Sequence, residues 1–254
     1  MMRCLLYLFL SWPLLGVSQI YYNPKAKTDT IRSVVEDGEY LQLVDSSGHI
    51  VEDGFYKNGQ LDGVWTTYSY TGFPATIHSY RAGKMNGTSM KIGIDGYVEE
   101  MSTYKNDILH GPYRLFFKGA RINKEIYYQE GIENGHRKIF YADAGIQEEA
   151  DINQGKREGK TIWYYKTGKT AVMYTYHNDE VDGPCSYYSE AGLLSSTGSF
   201  SQGVEEGLWQ EFDDEGKLKA EGKYKAGKKE GPWKIYTNGT FQRIEKYKNG
   251  ELEK

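Results

Sequence analysis

Few residues in this chain are typed and spaced for chemistry. The adjacent carboxylates Glu148 and Glu149 could form half of a glycosidase pair, but consecutive side chains of a strand face opposite ways and no second carboxylate is nominated by the pattern. His49, His78, His110, His136 and His177 are scattered without a close pair, so no zinc site is expected. The run Asp213, Asp214, Glu215 lies before Gly216 and lacks a ligand-rich loop, which reads as a solvated turn rather than a calcium site. Cys185 is read as a buried small side chain, with an intermolecular disulfide or a reactive thiol as the other reading. No nucleophile elbow, phosphate loop or dinucleotide fingerprint occurs. The expectation is therefore no catalytic residue, no cofactor and no metal. Trp65, Trp163, Trp209 and Trp233 remain as candidate contacts for a partner or a sugar, because stacked aromatic rings can hold either.

The elements that position these residues repeat. Gly63, Gly87, Gly111, Gly135, Gly159, Gly183, Gly207 and Gly231 recur every 24 residues. A fixed period of that length is the mark of an array of small units. Four places before each anchor stands Gly or Asp, from Gly59 through Asp107 and Asp179 to Gly227, a column fit for positive φ in a tight turn. Nine places after it lies a further turn column at Gly48, Gly72, Gly96, Gly168, Gly192 and Gly216, with Gly119, Gly145 and Gly239 read as one-place slips.

Two apolar columns lie between the turns. One runs Val44, Tyr68, Ile92, Phe116, Phe140, Tyr164, Tyr188, Phe212, Tyr236. The other runs Tyr56, Tyr80, Tyr104, Tyr128, Ile152, Tyr176, Phe200, Tyr224. Aromatic and β-branched residues bounded by glycine turns read as strands. The expected fold is all-β: an elongated antiparallel meander of about nine stacked β-hairpins. Trp65 and Tyr68 differ in strand parity, which predicts opposite faces, one core-like and one available for contact.

Tyr224, Gly227, Gly231 and Trp233, spaced Y-x-x-G-x-x-x-G-x-W, resemble the MORN repeat family, especially its 24-residue bacterial variant. Tyr56, Gly59, Gly63, Trp65 and Phe200, Gly203, Gly207, Trp209 repeat the match, and the resemblance covers about residues 39 to 254. It implies a non-catalytic sheet of successive hairpins. The repeat pattern is also similar to the bacterial YwqK-type antitoxins, which implies binding and neutralising a toxin. The middle units depart from the pattern, with Ser89, Arg137, Thr161 and Cys185 where Trp is expected, so their packing must differ.

Residues 1–18 carry Arg3, an apolar run from Cys4 to Val17 and small residues at Gly16 and Ser18, the grammar of a secretory signal cleaved near Ser18. Residues 19–38 are read as a non-repeat leader and 39–254 as the array. Loss of Arg3 leaves 30 basic against 35 acidic residues, which argues against nucleic acid and anionic membranes as partners. The sequence therefore points to an exported, periplasmic, cell-surface or secreted, non-enzymatic scaffold that binds another protein through its sheet, antitoxin- or immunity-like. A carbohydrate or cell-envelope binding module using exposed aromatics is the alternative.

Overall fold

A computed structural model describes residues 29–253; the expected signal segment and the first part of the leader lie outside them. The described residues form a single open sheet of 23 antiparallel strands. Each strand pairs with its neighbours in sequence, and extensive contact is confined to those neighbours. No second layer covers either face. What is buried must therefore be buried by side chains of adjacent strands lying across the sheet.

The first turn, Glu36–Asp37, lacks positive φ; from Asn58 onward each repeat closes on a two-residue turn with both residues at positive φ, as at Asn58 (50°) and Gly59 (74°). This is the mirror-image turn whose twist matches paired strands. The turns also bind one another. The amide of Gly83 donates to the carbonyl of Leu61 at 2.8 Å, and Asp107 to Met85, Gly131 to Leu109, Gly155 to Glu133 and Gly203 to Val181 repeat the bond. Asp replaces Gly in this column where it returns the bond: Asp107 Oδ1 accepts from the Met85 amide at 2.7 Å, and Asp179 Oδ1 from the Arg157 amide at 2.8 Å.

The anchor glycines are not in the turns. They sit in bulges, where Gly54 pairs with Trp65 and Tyr56 with Leu61, so one residue on the first strand faces three on the second. Positive φ at Gly63 (112°) lets the chain absorb the extra residues. The same bulge recurs at Gly87, Gly159, Gly207 and Gly231, whereas at Gly111, Gly135 and Gly183 the strand is interrupted one residue before the anchor.

The longer connections keep their position where the sequence suggests a slip. Tyr141 N donates to Gly145 O and Ala144 N to Tyr141 O, the same bonds that Ser69, Phe73 and Gly72 make. Ala144 itself takes the left-handed residue at φ 73°, and Gly145 does not replace it. The slip at the carboxy end is different. Tyr236 pairs with Phe241 where Tyr68 pairs with Pro74, so the Asn238–Gly239 turn is one residue shorter and brings Tyr247 forward by one place.

Both ends extend the sheet. The leader is not wholly outside the sheet: Asp29–Val35 pairs along its length with Gly38–Val44, from Asp29 opposite Val44 to Val35 opposite Gly38. At the other end Glu251–Leu252 adds a two-residue strand against Lys248 and Tyr247.

Candidate functional site

Following the register from strand to strand across one face gives a continuous row: Leu41, Gly54, Trp65, His78, Ser89, Ser102. It continues through Tyr113 and Ile126, then Arg137, Ala150, Thr161 and Tyr174. Cys185 and Gly198, then Trp209 and Gly222, and last Trp233 opposite Glu245, complete it. Most of the row is buried. It is the core of a sheet that has no second layer.

The row alternates in size. Where Trp stands, the preceding strand offers Gly: an added Cβ would lie 2.6 Å from the Trp65 ring at Gly54, 2.2 Å from Trp209 at Gly198 and 2.3 Å from Trp233 at Gly222. Where the Trp column holds a smaller residue, its partner enlarges, as in Ser89 with His78 and Cys185 beside Tyr174. His78 Nδ1 and Ser89 Oγ share a hydrogen bond of 2.8 Å. In these pairs a smaller residue in the Trp column meets a larger partner, whereas Thr161 lies opposite Ala150, two small buried residues.

The four candidate tryptophans are placed by this row. Trp65 and Tyr68 do lie on opposite faces, since Tyr68 bonds Asp53 at 3.1 Å on the far side. The tryptophans nonetheless share their face with the second aromatic column and are covered by it, so they are not the exposed platforms the sequence suggested. Trp65, Trp209 and Trp233 are 8%, 5% and 0% exposed. Rings meet edge to face from Trp209 to Tyr224 (5.5 Å), Tyr224 to Trp233 (5.3 Å) and Trp233 to Tyr247 (6.3 Å), a geometry favoured by the aromatic quadrupole. Their indole N–H groups are taken: Trp65 by Glu52, Trp209 by Ser199 O, Trp233 by Lys223 O. Lys229 Nζ lies 3.7 Å above the Trp233 ring and closes it from above.

Trp163 stands one step off the row and is half-buried. Its Nε1 donates to Glu148 Oε2 at 3.1 Å. Here the aromatic core gives way to charge. Arg137 donates to Glu148 Oε1 at 2.8 Å and approaches Glu133 at 3.5 Å, while Arg157 lies 3.6 Å from Glu148 and 5.4 Å over the Tyr176 ring. Lys124 lies on the same face, and burial pulls its ammonium below the usual lysine range despite the two glutamates. Glu149 points to the other face, where Lys138 and Tyr164 hold it at 2.8 Å each.

The remaining candidates for chemistry have local partners. His110, His136 and His177 pair with Glu130, Asp151 and Glu158, and His49 with Asp45. Asp213 caps its own turn through the amides of Glu215 and Lys217. Among the described residues no group of three His, Cys, Asp or Glu could hold a metal ion. Cys185 is buried beside Trp209, and burial pushes its thiol up to about 11, far from a reactive thiolate.

The tryptophan face is open at its amino-terminal end. A depression of about 460 Å³ spans from Thr30 and Arg32 to Trp65, with Leu41, Leu43 and Leu61 on its floor and Glu39 and Glu52 at its sides. Beside it, the edge strand exposes Val34 (89%) on this face and Ile31 (51%) on the other. The chain matches no protein-family model and no curated protein.

Proposed function

We propose that the chain is a non-enzymatic binding scaffold of the MORN-repeat type, exported by its amino-terminal segment, that grips another protein with the amino-terminal end of its sheet in an antitoxin- or immunity-like manner. The observation that carries this reading is the depression of mixed polarity beside the edge strand Asp29–Val35, whose outer side pairs with no other described strand. Leucine side chains, both signs of charge and a strand edge are what a protein partner can use together. The burial of the tryptophans weighs against the sugar-binding alternative, because a sugar ring needs an open aromatic face.

The test is photo-crosslinking in the native host with a reactive residue at Val34, on the face of the depression, against one at Phe241 near the opposite end. A discrete protein adduct from position 34 alone is the expected result. Equal labelling from both positions, or retention on polysaccharide without any protein adduct, overturns it. Intact mass of the recovered chain reports whether it begins at Gln19.

A further inference from the structure

Midway along the tryptophan face, Lys124, Arg137 and Arg157 gather around Glu133 and Glu148, three cations against two carboxylates. The carboxylates already have partners. Glu148 accepts from Arg137 and from the Trp163 indole, and Glu133 from Arg137 at 3.5 Å. Among the described residues the Lys124 ammonium makes neither a hydrogen bond nor an ion pair, and it stands within the fields of Glu133 and Glu148 as well as of Arg137 and Arg157. Arg157 Nε is buried and without a partner. A half-buried ammonium and a guanidinium nitrogen left unpaired on one face are costly unless an anion completes them.

We propose that this cluster receives one carboxylate, an acidic side chain of the protein partner, between Lys124 and Arg157. The unpaired groups select the ligand. One carboxylate can meet both the Lys124 ammonium and the Arg157 Nε, whereas a phosphate dianion would be repelled by Glu133, Glu148 and Asp179, whose Oδ1 accepts from the Arg157 amide, and by an acidic chain. The inference rests on the protein-binding reading and adds a specificity to it: an acidic residue must reach the middle of the face while the rest of the partner occupies the amino-terminal end.

The experiment is calorimetric titration of the full chain with an oligoglutamate peptide, with inorganic phosphate as the second probe. Lys124→Met removes a desolvated charge and keeps its apolar stem, so it folds at least as well; Lys138→Met on the opposite face is the control. Expected is saturable peptide binding that weakens as salt rises, falls at least about tenfold in Lys124→Met and is unchanged in Lys138→Met. Absence of saturable binding, equal binding by Lys124→Met, or tighter binding of phosphate than of peptide overturns the proposal. Crosslinks at position 34 that persist in Lys124→Met would leave the scaffold reading standing and remove this site alone.

Discussion

The indole of Trp233 lies against the backbone of Gly222, so close that a single added carbon at Gly222 would come within 2.3 Å of the ring. Trp233 is fully buried, and the space it fills exists because its neighbour has no side chain. Gly222→Ala is therefore expected to destabilise the carboxy-terminal hairpins by about 1–3 kcal/mol through overpacking. Adding Trp233→Ala to it should cost less than the sum of the two single changes, because the methyl then enters a cavity. Denaturant midpoints of the two single variants and the double variant measure the coupling; additive losses would show that the ring and the glycine are independent.

This pairing marks the limit of what the sequence discloses. The period, the turn columns and the opposed parity of Trp65 and Tyr68 were legible, since local turn chemistry and strand alternation fix them. The burial of the tryptophans was not, because it depends on which residue of the preceding strand lies opposite, and the bulge or break at each anchor shifts that register. Gly54, Gly198 and Gly222 stand eleven places before Trp65, Trp209 and Trp233, a regularity present in the chain but unreadable until the strands are aligned. The charged cluster was hidden for the same reason. Lys124 and Glu148 stand one repeat apart, but Arg137 and Arg157 fall at other offsets, and the four meet only across successive strands.

Ala144 occupies a left-handed turn position that Gly fills in most other units, at φ 73°. An L side chain there costs about 1–2 kcal/mol, part of which glycine returns to the unfolded chain as entropy. Ala144→Gly should raise stability by about 0.5–1 kcal/mol. A thermal midpoint that falls in this variant would mean that Ala144 makes a contact outweighing the strain.

On the face opposite the tryptophans, Lys138, Glu149 and Tyr164 form a ladder that links stability to pH in both directions. The Lys138 bond, with Tyr164 adding to it, holds the Glu149 carboxyl below the usual range. Its contribution is full above the ordinary carboxylate value and is lost as pH falls through the depressed one. Burial, reinforced by Glu149, pushes Tyr164 up to about 12. That contribution is full below the ordinary phenol value of about 10 and is lost as pH rises toward about 12. Chemical denaturation across pH should show Glu149→Gln flattening the acid limb and Tyr164→Phe the alkaline limb. An unchanged acid limb in Glu149→Gln would place the acid sensitivity elsewhere.

Glu148 is the hinge of the buried charge. Its side chain is 8% exposed and it answers Arg137, Arg157 and the Trp163 indole at once. Glu148→Gln preserves the shape and removes the negative charge, leaving two guanidinium groups and Lys124 facing one remaining glutamate. Breaking a buried pair from one side costs about 3–5 kcal/mol, since the surviving charge stays desolvated. Lys124→Met acts in the opposite direction, because it withdraws a cation that has no partner to lose. The two substitutions together should recover part of what Glu148→Gln forfeits, and added anion should stabilise Glu148→Gln more than the parent by filling the vacated charge. Unfolding midpoints with and without oligoglutamate decide it: if Glu148→Gln is as stable as the parent, the cluster is solvated enough that charge balance there does not govern packing.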